Sequence, residues 1–142
     1  MAKRWVIPDL HGYVLTVQAL FRDIIRPSLE DEIWFLGDCI DRGPDSKGVI
    51  GFIRGLQAEG FRVTALKGNH EDMLVELYDA EIQSKNQWFL NFSNRKRNAW
   101  LEMGGKETLR SFGVSSVTEI PQDYIEWMRS MPYSARHASI SG

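Results

Sequence analysis

Cysteine, histidine and long apolar runs are all scarce in this chain. A single cysteine, Cys39, among 142 residues excludes an intrachain disulfide and a thiolate cluster for zinc or iron–sulfur. With Ile40 beside it, Cys39 reads as a packed side chain rather than a reactive one. No apolar run approaches the roughly 20 residues needed to cross a bilayer, and the opening MAKRWVIPDLHG enters a strand rather than a signal peptide. A cytoplasmic protein with no membrane partner is therefore expected. Positive charge is not in excess either: the net charge of -2 provides no field to gather nucleic acid or anionic lipid. The basic segment Arg95-Lys96-Arg97 near Trp100 reads as a solvated helix edge, not a nucleic-acid stripe. Internal repeats and low-complexity segments are also missing.

What remains is an ordinary globular mixture, 43% hydrophobic and 25% charged, with enough chain for one domain over residues 1–142. Arg4 to Ile7 is a short apolar strand broken by Pro8. From Tyr13 to Ile25, Val14, Val17, Leu20, Phe21, Ile24 and Ile25 recur at helical spacing, a stripe with one face inward, closed by Pro27. Glu32 to Leu36 reads as a second strand buried on both faces. A helix capped by the Ser46 hydroxyl follows, carrying Val49, Ile50, Phe52, Ile53 and Leu56 and stopping at Gly60. Phe61 to Leu66 is a third strand, with Lys67-Gly68-Asn69-His70-Glu71 as its exit loop and a helix beginning at Met73. Beyond it the chain reads as helical over 76–133: an aromatic segment around Trp88, Phe89, Leu90 and Phe92, a short helix after Gly104-Gly105, and a helix after Pro121 with Tyr124, Ile125, Trp127 and Met128 inward. The tail 134–142 has little to pack and is expected to be flexible. Strand, helix, strand, helix, strand with short connections predicts an α/β fold with a parallel β-α-β-α-β core.

In such sheets, sites form beyond the carboxyl ends of the strands, and three polar clusters fall there: Asp9-Leu10-His11-Gly12, Gly37 to Ser46, and Gly68 to Glu71. Asp9 and His11, one residue apart in extended backbone, face the same side. Carboxylate and imidazole suit manganese, iron or zinc. Asp38 approaches from the adjacent strand, and Asn69 with His70 from the third. Each of these residues alone has a plainer reading as a cap, turn former or surface group. Three clusters at three strand ends point instead to one shared site, where a cation relieves the repulsion between Asp9 and Asp38.

PDLHG, GDCIDRGPDS and KGNHE resemble the first three signature blocks of the calcineurin-like metallophosphoesterases, in particular the bacterial and phage Ser/Thr phosphoprotein phosphatases, in matching order and spacing over residues 4–75. Looser similarity, in GGKETL with the following Phe112-Gly113 and in PQDYIEWMRSMP, extends the resemblance to about residue 133. The resemblance implies two divalent cations, manganese first among manganese, iron, zinc and nickel, held by Asp9, His11, Asp38 and Asn69, with Asp38 bridging. It implies His70 as general acid oriented by Asp41, and Arg42 as the phosphate clamp. The family pattern continues with two later histidine ligands and a second arginine. None is recognisable here, where only His11, His70 and His137 exist and His137 reads as a tail residue.

The expectation is thus a partial metallophosphoesterase sandwich with an incomplete second metal site and activity impaired by truncation. Metal-dependent hydrolysis of phosphomonoesters stands first, on a phosphorylated protein or small phosphoester. Symmetrical dinucleoside tetraphosphate hydrolysis is the alternative, set second because those enzymes more often carry Asp where this chain has Glu71. A non-catalytic metal- or protein-binding remnant is the third. Exposure of a sheet face that longer relatives cover also predicts a homodimer or exchanged segment.

Overall fold

Alternation along the strands decides where the core sits. In the computed structural model, which describes residues 1–83 and 86–134, β1 (Arg4–Ile7), β2 (Glu32–Phe35) and β3 (Arg62–Ala65) form a parallel sheet in the order β1-β2-β3. Ile7 pairs with Phe35 and Phe35 with Ala65, so all three strands end at the same level. Ile7, Ile33, Phe35 and Ala65 point to one buried face. The two-sided burial expected for the second strand does not occur: Glu32 and Trp34 are only half-buried, and Val6 and Leu36 remain 54% and 46% exposed. Helix residues pack against the face that carries Ile7, Ile33, Phe35 and Ala65, so successive residues of each strand meet core and solvent in turn.

The first helix runs as α1 (Val14–Ala19) and then widens into a π-helical segment, Leu20–Ile25. There the Arg26 amide donates to the Phe21 carbonyl, five residues back. That wider turn rotates the expected inward stripe, keeping Phe21 and Ile25 buried while turning Ile24 out to 74% exposure. In α2 (Ser46–Ala58) the N-cap is Asp45, whose carboxylate accepts the Gly48 amide at 2.8 Å. Ser46, expected to cap, sits inside the helix with its hydroxyl engaged elsewhere. The inward stripe of α2 is as expected, with Val49, Ile50 and Ile53 fully buried.

Rather than beginning at Met73, α3 (Asn69–Ile82) starts directly at the third polar cluster. It pairs with α4 (Gln87–Trp100), capped by the Asn86 side chain. A second π turn, Leu101–Gly105, leads into α5 (Lys106–Phe112), a 3-10 turn Val117–Glu119, and α6 (Gln122–Arg129). In α6 Ile125 and Met128 are fully buried, while Tyr124 leans edge-on against Phe112 and the Trp127 Nε1–H donates to Gln57. Beyond α6 the Pro132 carbonyl accepts the Lys67 amide at 2.7 Å, returning the chain to the exit of β3. His137 and all of the expected tail after Ser134 lie outside the described residues. Among those described, no helix is long and apolar enough to cross a membrane.

Candidate functional site

The equal strand ends release the three polar loops side by side, and backbone hydrogen bonds join the loops to one another. The Leu10 and His11 amides donate to the Asp38 carbonyl, Gly12 donates to Cys39, and Gly43 donates back to His11. Beside them, a side chain on Gly68 would collide with the Asp38 carboxylate, so the third loop reaches its position only as glycine. His11, Asp38, Asp41 and Arg42 all have positive φ, from +42° to +77°. Such backbone costs roughly 1–3 kcal/mol per residue and concentrates at sites whose geometry is over-determined by surrounding contacts.

Asp9, His11 and Asp38 converge. Each offers a ligand atom, and these atoms lie within 4.8 Å of one another. His11 Nδ1 is 2.8 Å from the Ile40 carbonyl, which can only accept, so Nδ1 carries the proton and Nε2 is left to face Asp9. Asp38 is braced at both ends: its Oδ1 accepts the His70 amide at 3.0 Å, and its own amide donates to Glu71 at 2.8 Å. Asn69, the remaining expected ligand, is the exposed first residue of α3, next to that His70 amide.

His70 and Asp41, expected as a pair, meet in the interior with His70 Nδ1 2.7 Å from Asp41 Oδ2. The His70 ring also stands edge-on to the His11 ring at 4.8 Å. Arg42 is exposed and reaches a hollow of about 620 Å³ that it shares with Leu101 to Gly104, Lys106 and Glu107. Its amide donates to the Gly104 carbonyl. Cys39 is 1% exposed, and burial pushes its thiol well above the ordinary range, which fits a packed residue.

Two motif residues have partners that the motifs do not announce. Glu71, fully buried, accepts the amides of Asp38, Cys39 and Gly68 with one carboxylate, and burial lifts it to about 7 against the pull of those donors. It faces backbone rather than the space beside Arg42. Asp41 is also fully buried, and burial raises its carboxyl while Thr108, His70 and Trp100 pull it back down. Thr108 Oγ1 donates to Oδ1 at 2.6 Å, and Trp100 Nε1 donates to Oδ2 at 2.8 Å. The helical half thus supplies part of the site.

A family model for calcineurin-like phosphoesterases matches residues 2–138. The chain belongs to that family. Among curated relatives it is 32% identical over 87 residues to a symmetrical bis(5'-nucleosyl)-tetraphosphatase of Pectobacterium atrosepticum, covering 61% of this chain and 30% of the relative. It is 35% identical over 88 residues to serine/threonine-protein phosphatase 1 of Salmonella typhimurium, covering 61% and 37%. Similarity to serine/threonine-protein phosphatase 2 of Escherichia coli is 27% over 143 residues, covering 97% and 59%. The chain therefore spans less than two thirds of these family members' length. A crystal structure of a candidate diadenosine tetraphosphatase shares the fold at a TM-score of 0.52 and 20% identity, covering 93% of this chain and 48% of the other. Family membership and the Asp9, His11, Asp38 cluster are together consistent with a metallophosphoesterase-type active site.

Proposed function

We propose that this site hydrolyses a phosphorus–oxygen bond with the help of a divalent cation, and that symmetrical cleavage of a dinucleoside tetraphosphate is its leading activity. The observation that carries the reading is the convergence of Asp9, His11 and Asp38. Ligand atoms about 2.1 Å from one ion lie about 3–4 Å apart, so a cluster spanning 4.8 Å needs only slight closure to fit one. A cation held there supplies Lewis-acid polarisation of a phosphoryl oxygen. Manganese is the proposed occupant, and a second ion using Asp38 and Asn69 is the finer part of the proposal.

The remaining work falls to the chain's own residues. Arg42, exposed and followed by Gly43, whose amide donates to the His11 carbonyl, offers two parallel N–H donors to phosphate oxygens. Asp41 holds the Nδ1 proton of His70, so a second proton taken up by the ring sits on Nε2, and that Nε2–H is the one passed to the leaving oxygen, returning the ring to its neutral form. The tetraphosphatase relative supports the phosphoanhydride as substrate. The phosphatase relatives support phosphomonoester or phosphoprotein hydrolysis as a second reading. Glu71, the ground for placing monoesters first, is occupied by three backbone amides and gives no preference.

Turnover of diadenosine tetraphosphate and of p-nitrophenyl phosphate, each with added manganese, separates the two. Faster anhydride cleavage is expected, faster ester cleavage reverses the order, and neither, with metal bound, leaves a binding remnant. The sheet face with Val6, Trp34 and Leu36, partly exposed among the described residues, supports self-association of this chain, and a monomeric mass by light scattering would refute that part.

A further inference from the structure

A chain of hydrogen bonds that starts in α5 runs through Asp41. Thr108 Oγ1 has one hydrogen, and its partner Asp41 Oδ1 can only accept, so that hydrogen is committed at 2.6 Å. The Ser46 hydroxyl, 2.8 Å from Thr108 Oγ1, must then be the donor of that pair. Both hydroxyl oxygens also receive the Asp41 amide, at 3.0 Å from Ser46 and 2.9 Å from Thr108. Thr108 therefore grips Asp41 at its backbone and at its carboxylate. Asp41 needs such a grip, because its φ of +71° is one that a non-glycine residue rarely holds. Thr108, Ser46 and Asp41 are all fully buried, so water does not substitute for a lost donor.

We propose that Thr108 is a positioning residue for His70, acting through Asp41. The proposal rests on the reading of His70 as the group that protonates the leaving oxygen. With Oδ1 tied to Thr108 and Oδ2 shared by Trp100 and His70, the carboxylate plane cannot rotate, and the His70 ring is aimed by it. The same segment of chain indexes Arg42. Gly104, four residues before Thr108, accepts the Arg42 amide, and a side chain on it would collide with Arg42 backbone. One corner of the helical half thereby sets both the proposed acid and the proposed phosphate clamp.

The test compares the manganese-loaded wild-type chain, Thr108→Val and Thr108→Ser on p-nitrophenyl phosphate and phenyl phosphate. Phenolate is the poorer leaving group and depends more on a proton. Thr108→Val is expected to slow phenyl phosphate about tenfold more than p-nitrophenyl phosphate, and Thr108→Ser to stay within about twofold of wild type on both. Equal loss on the two esters, or a serine variant as impaired as valine, overturns the proposal. Should Thr108→Val fail to fold, Ser46→Ala, which frees the Thr108 hydroxyl to turn away, must shift the same ratio in the same direction.

A second readout needs no turnover. In protein labelled with nitrogen-15 at histidine, the His70 Nδ1–H is expected to exchange with water about tenfold or more faster in Thr108→Val than in wild type. An unchanged rate refutes the positioning role. Inactivity of the wild type on both esters and on diadenosine tetraphosphate, alongside accelerated exchange, would uphold it while counting against the hydrolase reading.

Discussion

Asp31 ties the first strand to the loop before the second with four hydrogen bonds on one carboxylate. It accepts from the Lys3 amide, the Trp5 Nε1–H, and both the amide and hydroxyl of Ser28. These donors, the Lys3 amide foremost, hold its carboxyl well below the usual carboxylate range. A folded-state value depressed in this way contributes stability above the unfolded pKa of about 4, and the contribution fades as pH falls from there toward the folded value. Asp31→Asn is therefore expected to lower the thermal midpoint at pH 7, with the gap to wild type narrowing as pH is lowered from about 4 toward 2. Melting curves at several pH values check this, and a gap that stays constant would show that packing rather than charge carries the effect. Residues of this kind differ in how well the sequence announces them. Asp9, His11 and Asp38 were legible because they lie in the loops just beyond the carboxyl ends of β1 and β2, and parallel strands ending at one level bring those loops together. Thr108 and Trp100 were not, since they reach Asp41 across 67 and 59 residues by tertiary packing.

Elements show the same division. Periodicity located the strands and α2 because their apolar residues face one core. It placed Ile24 inside because spacing alone assumes a turn of 3.6 residues, whereas the π segment closes on the fifth. It also read β2 as buried on both faces, since Trp34 and Leu36 are as apolar as Ile33 and Phe35 and nothing local says which side is covered. Glycines likewise gain meaning from the element that holds them. Gly104 has a φ of +105° within the π turn and backs onto Arg42. Gly104→Ala should cost about 2 kcal/mol or more, combining left-handed strain with the collision. Gly51, in the middle of α2, has nothing within 4 Å of where a Cβ would stand. Gly51→Ala should gain about 0.5–1 kcal/mol. Urea denaturation of the two variants checks both signs, and a neutral Gly104→Ala would mean that the turn yields easily and does not hold Arg42.

For the whole molecule, the proposed metal centre makes stability depend on ligand concentration. The loops are already joined by backbone hydrogen bonds among Leu10, His11, Gly12, Asp38, Cys39 and Gly43, so removing metal with a chelator should leave the far-ultraviolet circular dichroism unchanged. Manganese at one hundred times its dissociation constant should add about 2.7 kcal/mol, roughly a 10 °C rise in melting temperature for a domain of this size. Asp38→Asn should erase most of that rise. A rise that persists in the variant would place the metal elsewhere. Glu71 adds a dynamic consequence. Because a single carboxylate receives the amides of Asp38, Cys39 and Gly68, the exits of β2 and β3 cannot loosen separately. Any fluctuation that releases one of these amides from Glu71 weakens its hold on the others, so two loops thirty residues apart in sequence share one opening event and one lifetime.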